Sequence, residues 1–376
     1  MFRNVTPEKA IAFVQFSVAL TCCWPLPSSA TKTELFRFKI LRTALLLNAF
    51  MLLGPMLYAM YAYRDDVENM CKAVLLTLAV VQVLVQSSSC ILQYDRYQQL
   101  IEEMTYCCEK ARSYERHVFQ RYVDKYSAFY GISAIWIYVT ASMVVLGTLF
   151  IPDPFPTNAK YPFAVNFEPV RSIIFVHQAF VGMQCAAHVS IAVLYALLLL
   201  FSAARFEILQ LELRAVKDVA SLIICIKKYH RVRRYATEAV QAVQPIALIT
   251  VIICGVATVS SGITFIGRQS FTVKVQFFSL ATIALLKVFM CTWPADNLMH
   301  MSENVMQGAY ESEWYKHSLK IQKYILFTLI PQAPVVLSVK CLIPTLSLNY
   351  YCSFVSNVFS LFTVLRVTMI RDEDGY

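Results

Sequence analysis

The chain alternates long apolar runs with charged connections, and that alternation predicts a bundle of membrane-crossing helices. Crossing roughly 30 Å of hydrocarbon at 1.5 Å per residue takes about 20 mostly apolar residues. Seven stretches qualify: 44–63, 71–92, 129–151, 173–203, 245–267, 271–293 and 348–370. The fourth is longer than one bilayer needs, which predicts tilt or a projection into the cytosol. The last closes an apolar region over 324–370 that Pro331, Pro334, Lys340 and Pro344 interrupt, so a broken helix is expected up to Pro331 and a span after it. Residues 11–24 are too short to span and predict an interfacial or re-entrant helix. Arg3 and Lys9 before them and Ser28, Ser29 and Ala30 behind also give the outline of a signal peptide.

Two connections carry helical periodicity of their own. Leu100, Met104, Cys107, Ala111 and Tyr114 recur between charges, which predicts that the second span's helix continues as an amphipathic extension over 99–125. Leu209, Leu213, Val216, Ala220 and Ile223 do the same over 204–237. Such stripes pack within the chain or form a subunit interface.

Composition agrees with the pattern. Of 376 residues, 58% are hydrophobic and 15% charged, with a mean hydropathy of +0.54, against ~45–50% apolar and ~25% charged in soluble domains. That excess cannot be hidden in a wet-surfaced globule, which removes most soluble enzyme classes. The net charge of +9 gathers on alternate connections. Lys and Arg crowd the N-terminal region (Lys32, Arg37, Lys39, Arg42), the second connection (Lys110, Arg112, Arg116, Arg121) and the fourth (Lys227, Lys228, Arg231, Arg233, Arg234). The other connections hold little beyond Arg64, Lys160, Arg171 and Arg268. The asymmetry predicts a cytosolic N-terminus and an extracellular C-terminus. It also explains the basic balance through the membrane, with no nucleic acid as partner. The twelve cysteines form no C-x-x-C pair and read as free thiols. No metal site, cofactor motif, G-x-S-x-G, H-E-x-x-H or Walker loop is present in the sequence.

Polar groups inside the spans are the candidate chemistry. His177 and His188 lie about three turns apart with Gln178, Gln184 and Ser190, a stripe that makes either helix–helix hydrogen bonds or a pocket. Lys287, a charge within the sixth span, is expected to snorkel to the inner interface. Under the assigned orientation Tyr138, Met143, Phe180, Phe277 and Phe278 fall in the outer halves, with Thr77, Thr140, Ser142 and Gln184 as sparse polar groups. Packing explains such residues, and so does an apolar cavity for a small lipophilic or volatile ligand. Thr77, Tyr138, Met143, His177, Phe180, Gln184, Phe277 and Phe278 are the ligand-binding candidates. Seven spans also evoke metabotropic receptors, and Asp95-Arg96-Tyr97 spells their triplet. It follows the second span, however, and the orientation is opposite.

The last third is motif-specific: Trp293-Pro294-Ala295-Asp296, then Ala309-Tyr310-Glu311-Ser312-Glu313-Trp314-Tyr315, Pro331, Pro334 and a closing run Ser360-Leu361-Phe362-Thr363-Val364-Leu365-Arg366. These residues resemble the insect odorant receptor family, with Ala295-Asp296 standing where Gly is frequent and Leu361 where an aromatic is. The resemblance implies an all-α fold of seven transmembrane helices. It implies a tuning subunit of an odorant-gated, non-selective cation channel in the membrane of a sensory dendrite, assembled with a co-receptor, as a tetramer, around a pore lined by the last helix. Residues 1–43 then form a cytosolic N-terminus and 44–293 the ligand-binding bundle, with extensions 93–128 and 204–244. Residues 294–347 form a cytosolic anchor that begins with a small-residue turn, 348–370 the pore helix and 371–376 an extracellular tail. Ser360, Val364 and Thr368 are the pore and gate candidates, and Tyr310, Trp314 and Tyr315 the subunit anchor. Phe359, Val364 and Leu365 suit a hydrophobic constriction that closes by dewetting. A homomeric channel like the gustatory receptors and a metabotropic seven-span chemoreceptor are the alternatives.

Overall fold

The computed structural model describes residues 5–148, 155–165, 167–266, 271–330, 332–339 and 343–373. Its helices are α1 (Pro7–Ser17), α2 (Lys32–Ala62), α3 (Val67–Leu92), α4 (Tyr94–Glu109), α5 (Ser113–Gly147), α6 (Val170–Arg214), α7 (Val219–Ile266), α8 (Phe271–Glu303), α9 (Gln307–Tyr310), α10 (Leu319–Thr328) and α11 (Leu348–Glu373). Among the described residues the only strand-like pairing is one isolated bridge between Val339 and Ile343. Six helices are long and apolar enough to cross a membrane: α2, α3, α5, α6, α7 and α8. With 26 residues, α11 has the length to cross as well.

Several helices outrun the apolar stretches that predict them. The 45 residues of α6 and 48 of α7 give lengths of about 68 and 72 Å, more than twice the hydrocarbon thickness. Their far ends meet α4 and the start of α5 in a layer outside the apolar zone, called here the basic end. Ion pairs join the helices there: Arg205 to Glu103 at 2.6 Å, Lys228 to Glu212 at 2.5 Å, Arg96 to Glu238 at 3.0 Å, and Arg121 to Glu207.

Local chemistry sets the boundaries. Thr31 and Glu34 cap α2 reciprocally, the Thr31 amide donating to the Glu34 carboxylate at 2.7 Å and the Glu34 amide to the Thr31 hydroxyl at 3.3 Å. Asp66 caps α3 by accepting from the Asn69 amide at 3.1 Å. The expected continuous extension over 99–125 is instead two pieces. The chain breaks at Gln93, α4 ends at Glu109, and residues from Ser113 onward belong to α5, which runs straight into the third span. The 204–237 stripe is also cut. Leu209, Leu213 and Val216 are buried, but the turn between α6 and α7 resets the helical phase. Ala220 and Ile223 therefore face out, and Leu222, Cys225, Tyr229 and Val232 face in. The buried parts of these stripes pack inside the chain.

Two prolines predicted as span boundaries lie within helices, Pro245 in α7 and Pro294 in α8. Proline leaves the carbonyl four residues earlier without its helical donor. For Pro294 that carbonyl belongs to Met290, and the Tyr130 hydroxyl of α5 donates to it at 3.0 Å. That donor lets α8 continue past Pro294. Near Pro245 the Tyr97 hydroxyl of α4 donates to the Ala242 carbonyl at 2.9 Å, one residue beyond the carbonyl of Gln241 that Pro245 frees. The expected small-residue turn at Pro294–Asp296 is accordingly helical, and the Asp296 carboxylate accepts from the Leu348 amide at 3.3 Å, at the start of α11.

The N-terminal helix folds back along α5. The Val5 carbonyl accepts from Gln120 at 2.7 Å and the Ser17 carbonyl from the Tyr138 hydroxyl at 2.7 Å. Those α5 residues are about 27 Å apart along the helix axis. A left-handed turn at Cys22 sends the chain back to α4, where Gln98 donates to the Leu26 carbonyl at 2.7 Å. Val14 and Val18 join the largest buried cluster, which draws on α1 and α3 to α10.

Candidate functional site

Three helices and a loop enclose a cavity of about 50 Å³ at the end opposite the basic layer. Lys72 and Leu76 of α3, Val144 of α5 with Thr148 at its end, and Phe277 and Leu280 of α8 form its walls, and Phe155 and Asn158 its roof. The roof is latched by Gln178 of α6, which is buried. Its side-chain oxygen accepts from the Thr157 amide at 3.1 Å and hydroxyl at 2.9 Å, and its nitrogen donates to the Tyr161 hydroxyl at 3.0 Å. At the rim Gln276 of α8 donates to the Met143 carbonyl at 3.2 Å, joining α8 to α5.

Behind Phe277 a second cavity of about 250 Å³ lies between α7, α8 and α11, lined by Ser261, Phe265, Phe278, Thr282, Phe359 and Phe362. A third, apolar and about 330 Å³, lies toward the basic end under α1, beside Phe13, Phe119, Tyr126 and Phe201. No sequence signal marked this last one, because it exists only once α1 folds back into the bundle.

The eight ligand-binding candidates do not converge on one cavity. Phe277 lines the first and second cavities, and Phe278 the second. Thr77 is buried next to Leu76, with its hydroxyl donating to its own helix at the Ala73 carbonyl, 2.6 Å away. Tyr138 is taken up by α1. Met143 and Phe180 point outward. His177 Nε2 lies 3.0 Å from the Asn48 carbonyl of α2, and Gln184 donates to the Leu45 carbonyl at 2.9 Å. These two tie α6 to α2, the helix–helix role rather than the pocket role. The contributions of Leu76, Val144, Leu280 and Gln178 were missed in the candidate set. The α8 face was the available signal, since Val273, Leu280 and Ala284 repeat the position of Phe277 at helical spacing.

Lys287 does not snorkel. It is 2% exposed, and its amine has no hydrogen-bond partner among the described residues. The side chain leaves a face of α8 that packs on neighbouring helices, near His188, Cys185, Cys254 and Cys291. Helical side chains tilt toward the N-terminus of their own helix. That tilt carries Lys287 toward the cavity end and away from the basic end.

The closing helix packs through one face only. Phe354 and Val358 are buried against α7 and α8, and Phe289 and Tyr351 stack edge-on at 5.3 Å. A Cβ at Gly262 would stand 2.8 Å from the Phe362 ring, so this approach of α11 to α7 requires glycine. On the other face Phe359, Leu361, Val364 and Val367 are each more than half exposed. Ser360 and Thr363 expose hydroxyls that donate back to the Ser356 and Phe359 carbonyls at 2.9 Å. The side chains of Leu365 and Thr368, both assigned to the gate, lie outside the described residues. Of the anchor candidates, Trp314 is half-buried against the main core, whereas Tyr310 and Tyr315 are exposed.

Nothing in this geometry forms a nucleophile with an aligned base. At the basic end, burial pushes the Cys108 thiol up to about 12 and raises Cys107, so neither is a ready thiolate.

The whole architecture is similar to the insect olfactory receptor OR5 from Machilis hrabei. The TM-score is 0.79 at 14% identity, over 95% of this chain and 97% of that one. The same receptor in complex with eugenol matches at a TM-score of 0.78 and 13% identity, over 96% and 98%. No curated protein matches by sequence. The sequence profile of the 7tm odorant receptor family, a family of membrane receptors and not of enzymes, matches residues 66–359, most of the bundle including the first part of α11. This multi-pass membrane protein belongs to the 7tm odorant receptor family.

Proposed function

We propose that this chain is the odorant-binding subunit of a ligand-gated, non-selective cation channel that opens together with a co-receptor. The observation that carries the reading is α11. A span-length helix with one packed face and one exposed face of Phe359, Leu361, Val364 and Val367 needs other subunits or a pore to complete its surroundings. Val364 belongs to the closing constriction, and Ser360 and Thr363 supply polar groups beside it. Tyr310, Trp314 and Tyr315, in the anchor over 294–347, meet neighbouring subunits at the basic end, which faces the cytosol together with the N-terminus. The membrane is that of a sensory dendrite.

The ligand is a small lipophilic molecule, as eugenol is for the similar receptor. Its site is the cavity under the Gln178 latch. About 50 Å³ is less than an odorant needs, so binding selects a conformation in which the roof or Phe277 moves aside. Such a ligand opens the channel only by favouring that conformation.

Whole-cell recording under a mixed odorant panel, with and without a family co-receptor, tests this. Co-receptor-dependent cation current is expected. Current without the co-receptor would replace the heteromer by a homomeric channel. Silence in both, with the protein at the surface, would overturn the channel reading.

A further inference from the structure

Among the described residues, three buried polar atoms in the middle of the bundle have no hydrogen-bond partner, each from a different helix: Thr140 Oγ1 of α5, His188 Nδ1 of α6 and Lys287 Nζ of α8. Ile137, Ala186 and Ile283 pack together. Lys287 stands about one turn and His188 two residues from that contact toward the basic end, whereas Thr140 stands about one turn from it toward the cavity end. The other ring nitrogen of His188, Nε2, is held 3.2 Å from the Ser87 hydroxyl of α3, which leaves Nδ1 turned to a different neighbour.

Among the described residues, the groups acting on the Lys287 amine are the thiols of Cys254, Cys291 and Cys185, with no carboxylate among them. A buried ammonium without a counter-charge, or a buried amine without a hydrogen-bond partner, is expensive wherever it occurs and more so inside a membrane. Among the described residues none offers the amine a hydrogen bond.

The amine also lies below the ligand cavity on one helix face. Phe277 and Leu280 line that cavity, and Ala284 and Lys287 continue the face. Leu280 and Lys287 are about 10 Å apart along the axis. The four-carbon stem of Lys287 leans back over part of that distance, toward the cavity.

We infer that Lys287, with His188 beside it, is the polar floor of the ligand site and receives the carbonyl or carboxylate oxygen of the ligand, whose apolar tail lies between Phe277 and Leu280. The inference rests on the ligand-site reading and adds a chemical class to it: lipophilic acids, aldehydes and ketones, in preference to alkanes and amines of the same length.

The test compares wild type, K287M, K287Q and F277W, each assembled with the co-receptor and checked at the surface. The probes are straight-chain acids, aldehydes and methyl ketones, with matched alkanes and amines. Acceptor-bearing probes should be the more potent. K287M should lose about tenfold or more in sensitivity to them, K287Q should recover part of that loss, and alkane responses should not move. Because K287M removes an uncompensated buried amine, it should unfold at the same temperature as wild type or higher, so loss of response is not loss of fold. In parallel, octanoate should raise the unfolding temperature of the purified full chain, and fail to in K287M. Alkanes or amines as the better agonists, equal sensitivity of K287M, or silence of every acceptor in both measurements would overturn the inference. F277W separates the two readings. If it leaves every response unchanged, the ligand-site reading itself fails. If it shifts them all while K287M shifts none, only the polar floor fails.

Discussion

The two ends of this bundle are built on different terms. At the basic end one buried cluster runs through α1 and α3 to α10, with Tyr97, Phe206 and Tyr235 almost fully enclosed, and ion pairs bracing its rim. At the opposite end the buried residues fall into small separate clusters, two cavities intervene, and one glutamine holds the roof. Close packing gives a single well-defined arrangement, and gaps leave room for others. A receptor needs both properties, a base that fixes the helices and a far end that a ligand can reorganise. The division follows from helix length, because α6 and α7 extend beyond the membrane only at the basic end.

The largest expected effect tests the base. Tyr235 of α7 stacks on Phe201 at 5.4 Å, lies under the Arg205 guanidinium at 5.0 Å and donates to the Leu100 carbonyl of α4 at 3.0 Å. Tyr235→Ala should cost about 3–5 kcal/mol and be read as lost surface expression and a lower unfolding temperature in detergent. Phe278→Ala, an aromatic removed from the exposed face of α8, should change stability by less than about 1 kcal/mol. Equal losses would erase the contrast between the ends.

A smaller effect tests the repair of a proline. Tyr130→Phe keeps the ring but leaves the Met290 carbonyl, freed by Pro294, without its donor. A loss of about 1–3 kcal/mol is expected in thermal unfolding. The loss should vanish when Pro294→Ala restores the amide of residue 294, a coupling that a double-mutant cycle reads directly. Additive losses would mean that the tyrosine merely packs.

The same hydroxyl shows where the sequence stops being legible. Twenty apolar residues identify a span by themselves, so every long membrane helix was foreseeable from hydropathy. Whether Pro294 ends a helix depends on Tyr130, which lies far away in the chain, and Pro245 too sits inside a helix, so both were misplaced as boundaries. The stripe beyond Val216 failed for a related reason, since a short turn reset a phase that periodicity assumed to be continuous. The candidate ligand site was the least legible part. Polar residues in apolar helices declare that they need partners but not which ones: His177 found a carbonyl of α2, Tyr138 the end of α1, and Lys287 none among the described residues.

The last prediction concerns the roof, where the two ends differ most. Gln178 makes three hydrogen bonds to residues 157 and 161 and none to the helices that pack below it. Gln178→Ala should therefore release the loop without loosening the bundle. Global thermal stability should move by less than about 1 kcal/mol, while amide exchange around residues 155–161 rises to the rate of an open loop. A loop that opens more readily admits and releases ligand faster, so currents should rise and decay faster after an odorant pulse, with the closed-channel leak unchanged. By contrast, Val364→Ala shortens a side chain on the exposed face of α11 and should raise the leak while leaving those kinetics alone. If Gln178→Ala lowered global stability as Tyr130→Phe does, the roof would be part of the base, and the ligand would have to work against the whole fold to enter.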